Sequence, residues 1–324
     1  MFDLYLASFD DAKIIDWAYS NDCPLLYSQL NNRGYITKHF DAQDEGRTHG
    51  KLLIDSGAHS AHTKGVKLDL EEYIGYINDN HEKMSLYVQV DKIPGMYRKP
   101  KTDKDFLDAP RLSWENYLYM REKLKDWTKL IPVFHQGEDL KWLQNMCDYT
   151  FSDGTKIPYV GLSPRGDVSL EAKYDFCAKC FATIQKSSQP KIKTHAFGAT
   201  SLSMLERLPF TSADSTTWVL VSAFGQVWIP AGITGFSVDD TVGVKLGVSE
   251  QNKSHPTGTQ TYWEQTKDVQ KKLDDYFESI GTNVEELAVS HSARSKASAI
   301  FCQTWAKNYQ YKGLETFVDS HKLF

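Results

Sequence analysis

The chain has 324 residues, 41% of them hydrophobic, 24% charged and 13% aromatic, and its 37 basic against 42 acidic side chains give a formal net charge of −5. That length suits one large α/β barrel or two ordinary domains, and the composition excludes disordered, collagenous and disulfide-scaffold classes. A general nucleic-acid coat protein would be strongly basic, so the charge argues against one while leaving room for a local basic rim.

The N-terminus carries Asp3 and Asp10 and no basic stretch ahead of its apolar residues, so it does not read as a signal peptide. Short apolar runs follow at Leu4–Ala7, Leu52–Ile54, Leu86–Val90, Leu130–Phe134, Pro158–Leu162, Ile192–Phe197, Phe210–Ala213 and Trp218–Val221. Helical spacing of apolar residues falls between most of them, at Asp11–Ser20, Leu70–Asn80, Trp114–Trp127, Asp139–Met146, Leu170–Gln185 and Leu202–Arg207. Strands alternating with helices in this way predict an α/β fold, a (β/α)8 TIM-type barrel over residues 1–250. An open doubly wound sheet is the rival, weakened because no G-x-G-x-x-G follows the first strand. Ser215–Val238 is uncharged and long enough to cross a bilayer, but Gly225, Pro230, Gly232 and Gly235 favour two buried strands, WVLVSAF and GQVWIP. Beyond residue 250 the pattern changes to long helices at Tyr262–Ile280 and Val284–Asn308, parted by Gly281-Thr282-Asn283. Residues 251–324 are therefore expected to form a helical extension packed on the barrel.

Five scattered cysteines, Cys23, Cys147, Cys177, Cys180 and Cys302, suggest reduced thiols and a cytoplasmic location. Cys177-x-x-Cys180 lies in a helical pattern without a second pair, and His59, His62, His135 and His195 show no metal-ligand spacing, so no metal and no cofactor are expected.

Three predicted strands end in Asp before a turn signal: Asp55-Ser56-Gly57, Val90-Asp91 with Pro94-Gly95 soon after, and Asp214-Ser215. Such an Asp can simply cap a helix or start an Asx turn. In a barrel, however, strand C-termini converge on one face, and three carboxylates there form a candidate site whose like charges push pKa values apart. Two further strand ends, His135-Gln136-Gly137 and Val160-Gly161-Leu162, offer an amide and a close backbone approach.

This ordered set resembles the tRNA-guanine transglycosylases. Asp55-Ser56-Gly57-Ala58-His59-Ser60 is similar to their D-S-G-G-F-Q signature, Asp91 to the guanine-binding Asp, and Gln136-Gly137 to the Q-G-G segment. Gly161-Leu162 resembles the G-L contact, Ala196-Phe197-Gly198 the glycine-ended strand, and Asp214 the nucleophile. The zinc-binding cysteine cluster is absent, Ala58 replaces the second glycine, and Ser215-Thr216-Thr217-Trp218 follows the nucleophile position. These departures resemble the shorter phage and bacterial branch, the 7-deazaguanine DNA transglycosylases (the DpdA family), over residues 1–220.

The resemblance implies that guanine in DNA is exchanged for a 7-deazaguanine, such as 7-cyano-7-deazaguanine, through a covalent Asp–sugar intermediate, in a cytoplasm that would be the host's if the gene is a phage's. It assigns Asp214 as nucleophile and Asp55 as acid/base. Asp91, Gln136, Gly161, His59 and Gly198 would hold the base, and the partners would be DNA, guanine and the incoming base, with no membrane. The basic run after Asp91 (Lys92, Arg98, Lys99, Lys101, Lys104, Arg111) reads as a loop, and with Arg165 it is a candidate phosphate contact. Interleaved Asp103, Asp105 and Asp108 leave a plain solvated loop open. The alternatives are a tRNA-acting enzyme, a nucleosidase or glycosidase using Asp55 and Asp214 with water, and a non-catalytic nucleic-acid-binding subunit. Nothing in the sequence sets the oligomeric state.

Overall fold

The computed structural model describes residues 2–8, 11–96, 99–100, 102–198, 201–234, 243–250 and 260–312. In chain order the first half comprises β1 (Asp3–Ala7), α1 (Ala12–Ser20), β2 (Leu25–Ser28), α2 (Gln29–Asp44), β3 (Leu52–Asp55), α3 (Ala58–Lys64), α4 (Leu70–Asn80), β4 (Leu86–Val88), α5 (Asp103–Lys123), β5 (Leu130–Ile131) and β6 (Val133–His135). There follow α6 (Leu140–Asp148), β7 (Tyr159–Ser163), α7 (Leu170–Lys186), β8 (Lys193–Ala196), α8 (Leu202–Arg207), β9 (Ser212–Ser215), α9 (Thr217–Ala223), β10 (Gln226–Pro230), α10 (Ala231–Thr234), β11 (Gly243–Gly247), β12 (Gln260–Thr261), α11 (Lys267–Ser279), α12 (Val284–Val289) and α13 (His291–Lys307).

Nine parallel strands hydrogen-bond in the order β5-β4-β3-β2-β1-β9-β8-β7-β6. β5 and β6 are separated by Pro132 alone, which has no N–H for the ladder. The first half of this divided strand pairs with β4 and the second with β7, and the Gly161 N–H donates to the Pro132 carbonyl at 2.8 Å. The sheet thus closes through the proline, and the α/β barrel is the TIM-type architecture expected.

Strand alternation sorts side chains into two layers. Tyr5, Leu53, Val88, Ile131, Val133 and Tyr159 pack together as one buried cluster, the barrel interior. Their sequence neighbours Leu4, Leu6, Leu52, Ile54, Tyr87, Leu130, Phe134 and Val160 join the larger core between strands and helices. Each element end has a local cause. Asp11, Asp69, Asp139 and Ser169 cap the helices that follow them through their side chains.

Two strand assignments differ from the sequence reading. Trp218–Val221 is not a strand but the core of α9, where Trp218 is buried and its indole N–H donates to the Ala7 carbonyl at 3.0 Å. The missing strand is β2, only four residues long and set between polar segments. The helix expected from Trp114 begins at Asp103 instead. Thr102 and Asp105 close a reciprocal capping box there, and Pro110 lies inside the helix. The expected basic loop is correspondingly shorter, with Lys104 and Arg111 on α5 and Arg98 and Lys101 outside the described residues.

The C-terminal region is helical from Lys267 to Lys307, but it opens with a three-stranded sheet, β10-β11-β12, that straddles residue 250. Val227, Ile229, Leu246, Leu273, Phe277 and Leu287 form a second core there. The helix expected at Tyr262–Ile280 is a 3-10 turn and then α11, and Ser290 splits the last one, ending α12 and capping α13. α13 returns to the barrel, where the Gln303 amide donates to the Leu4 carbonyl at 2.9 Å. Among the described residues, no helix is long and apolar enough to cross a membrane.

Candidate active site

Asp55 ends β3 and alternates with the interior residue Leu53, so its carboxylate enters the barrel mouth. The next turn needs glycine. Gly57 has φ +86°, and a Cβ there would lie 2.5 Å from Leu30 Cβ. The Gly57 N–H donates to Asp55 Oδ2 at 2.9 Å. Burial, then the charge of Asp91, then that of Asp214 outweigh this bond and raise the Asp55 pKa from 3.8 to about 7. Asp91 and Asp214, both distant from it in sequence, therefore act on Asp55 at one end of the barrel.

Asp91 lies three residues beyond β4. The Tyr73 hydroxyl of α4 donates to the Val88 carbonyl at 2.9 Å, and the Asn116 amide of α5 to the Val90 carbonyl at 2.7 Å. The Asp91 carboxylate meets His135 Nε2 at 2.9 Å, and His135 Nδ1 meets Glu138 at 3.2 Å. Burial opposes a charge on this imidazole, but the bonds to Asp91 and Glu138 prevail and raise its pKa to about 10. The site thus holds a carboxylate–imidazolium–carboxylate chain, with Glu138 almost fully buried.

Asp214 sits on β9 opposite Tyr5 of β1. Gly198, at φ +59°, donates its N–H to Asp214 Oδ1 at 3.0 Å, and His195 Nε2 lies 3.3 Å from the same oxygen. Oδ2 has no donor among the described residues. The charges of Asp91 and Asp214 thus reach Asp55, and Gly198 lies against Asp214.

Other expected site residues have different surroundings. The Gln136 side chain accepts from the Arg165 N–H at 2.9 Å and donates to the Ala172 carbonyl at 3.1 Å, so it braces loops rather than facing a ligand. Gly161 leaves room for a side chain of the protein itself. A Cβ there would lie 2.2 Å from the Phe197 ring, which packs edge-on against His195 at 4.4 Å. His59 is exposed on the first turn of α3. Lys92 and Lys99 are exposed, and no ion pair engages either among the described residues. Arg165 is bound through two nitrogens to Asp167, which offsets its charge locally.

Sequence reasoning passed over Glu138, Tyr73, Ser212 and Tyr159. A signal existed for two of them: Ser212 shares a strand face with Asp214, and Glu138 stands three residues after His135. All five cysteines are unpaired and buried, and no group of three or more His, Cys, Asp or Glu is arranged to hold a metal among the described residues.

No family model matches the chain, and no curated protein matches its sequence. A solved structure from Aquifex aeolicus VF5, described only as a structural study, is similar with a TM-score of 0.37 and 7% identity over 67% of this chain and 84% of that one. That likeness is too slight to carry an argument, and the functional reading rests on the site.

Proposed function

We propose that the protein is a base-exchange transglycosylase, a pentosyltransferase that replaces guanine in DNA with a 7-deazaguanine. The observation that carries this reading is the group of carboxylates at the barrel mouth, where the charges of Asp91 and Asp214 act on Asp55 so that it keeps its proton to about pH 7, while Asp214 has one oxygen without a donor among the described residues. A carboxylic acid and a carboxylate nucleophile are the pair that glycosyl transfer through an oxocarbenium-like transition state needs.

In the first step Asp214 Oδ2 bonds to C1′ as the bond from C1′ to guanine N9 breaks. The electron pair passes to the purine, which takes the Asp55 proton and leaves neutral. In the second step the incoming base gives its N9 proton to Asp55 and attacks C1′, and Asp214 departs as a carboxylate. Asp91 accepts from the N1–H and amino group of the base, an edge that guanine and 7-deazaguanine share. The exposed Lys92, next to Asp91 in sequence, and the exposed Lys99 supply phosphate contacts.

A second reading, a nucleosidase using water as acceptor, is supported by the same carboxylates. Incubating the protein with 7-cyano-7-deazaguanine and either DNA or tRNA, then digesting the polymer to nucleosides for mass spectrometry, separates the two. Exchange predicts modified nucleoside in the DNA matched by free guanine. Free guanine without incorporation would favour the nucleosidase, incorporation confined to tRNA would move the substrate to RNA, and no base release from either polymer would end both enzymatic readings. Lys92→Glu with Lys99→Glu should weaken DNA binding and flatten its salt dependence by roughly one unit of slope per lost phosphate contact.

A further inference from the structure

His195 is wholly buried, and both its ring nitrogens are engaged. Nδ1 lies 2.7 Å from Ser212 Oγ, and Nε2 lies 3.3 Å from Asp214 Oδ1. Ser212 Oγ lies in turn 2.7 Å from the Tyr159 hydroxyl. Strand register creates this file. His195 on β8 pairs with Ser212 on β9, Asp214 is two residues further along β9, and Tyr159 lies two residues before Gly161, the β7 partner of His195. Side chains two apart on a strand share a face, so all four groups point into the barrel.

With a neutral imidazole such a file has two self-consistent directions. In one, Tyr159 donates to Ser212, Ser212 to Nδ1, and Nε2–H to Asp214. In the other every donor is reversed, and Asp214 itself must supply a proton, because an Nε2 lone pair facing a carboxylate is repulsive. The Gly198 N–H already donates to Oδ1 at 3.0 Å, which fits a carboxylate oxygen better than a hydroxyl. The first direction is therefore the one the geometry favours. Tyr5 and Phe197 pack their rings edge-on against the imidazole, at 6.0 and 4.4 Å, and restrict its rotation.

We propose that His195 is a positioning residue: as the Nε2–H tautomer, held in that state by Ser212 and Tyr159, it binds Asp214 Oδ1 and leaves Oδ2 as the only oxygen able to bond to C1′. This rests on Asp214 being the nucleophile. The ester formed through Oδ2 keeps Oδ1 as its carbonyl oxygen, held by two N–H donors throughout, so the carboxylate does not have to reorient between the two steps. Restraining the reacting atom in this way lowers the entropy lost at the transition state.

The test uses the full chain with 15N-labelled histidine. Two-bond nitrogen–proton correlation spectra report each tautomer, and the His195→Leu variant assigns the signal by its loss. The wild type should show Nε2–H, and Ser212→Ala should mix the two tautomers. In parallel, the rate of covalent adduct formation with DNA is measured at saturating DNA. His195→Leu should slow it roughly 10–100-fold with little change in half-saturation, as is typical when a partner orienting a reacting group is lost. His195→Gln, which keeps a donor at the end of the chain, should restore much of the rate. Tyr159→Phe, a milder change for folding, should give a smaller loss. A wild-type Nδ1–H tautomer would overturn the proposal whatever the activity, as would an undiminished adduct rate in folded His195→Leu. If the wild type forms no adduct with DNA at all, the transglycosylase reading fails, and the positioning role fails with it.

Discussion

Asp55→Asn separates the chemical role of this side chain from its effect on stability. The wild-type carboxyl titrates near 3.8 when unfolded and near 7 when folded, because burial and the charges of Asp91 and Asp214 disfavour ionisation. A carboxyl whose folded pKa is raised contributes full stability below the unfolded value, and that stability is lost as pH rises toward 7. Above about 7 the loss levels off. With a shift of this size, the wild type should lose about 2–3 kcal/mol between pH 5 and pH 8 through this group alone. Asparagine has a similar shape and no charge, so it escapes that loss. Urea denaturation at the two pH values should therefore show the variant gaining on the wild type by about 2–3 kcal/mol from pH 5 to pH 8. Base exchange should move the opposite way and fall roughly 10²–10⁴-fold, the usual size of general acid–base assistance. A stability difference that is the same at both pH values would refute the reasoning. Asp55 would then not be held protonated by its surroundings, and it could not serve as the proton donor near neutral pH.

Asp214→Asn should abolish the adduct trapped on a denaturing gel with DNA, because an amide is a poor nucleophile at C1′; adduct surviving there but lost in Asp55→Asn would reverse the two roles. Glu138→Gln removes one of two anions that hold the His135 proton, so the His135 titration seen by NMR should move down from about 10. The stability this raised pKa contributes is fully present below about 6.5 and is lost as pH rises toward 10, so the variant should lose it earlier in a melting series; a melting-versus-pH curve unchanged from wild type would contradict the triad. Gly57→Ala puts a Cβ against Leu30 at a left-handed backbone position, and it should cost about 1–3 kcal/mol in denaturation while displacing the Asp55 turn. Full stability and activity in that variant would show that the turn tolerates a side chain.

The barrel was legible in the sequence because its inner strands are short apolar runs bounded by turn residues, and because Asp55, Asp91 and Asp214 each follow such a run. Local composition could not settle where that pattern is weak. β2 has four residues and polar flanks, so nothing marks it until β1 and β3 are in place to pair with both its edges. Trp218–Val221 is as apolar as a strand, yet it is helical. All four residues are apolar, even the exposed Leu220, so no polar position reveals the period, and the burial of Trp218 with its bond to the Ala7 carbonyl decides it. Gln136 and Gly161 were legible as residue types but not as roles. An amide looks the same in sequence whether it meets a ligand or braces a loop, and only the chain of Arg165, Ala172 and Phe197 around them shows the second case. The candidate nucleophile and acid were determined by the sequence as carboxylates at strand ends. Which oxygen of Asp214 is held follows from His195 and Gly198 on the neighbouring strand and its end, and whether Asp55 keeps its proton follows from burial and from Asp91 and Asp214 on other strands, all set only when the barrel closes.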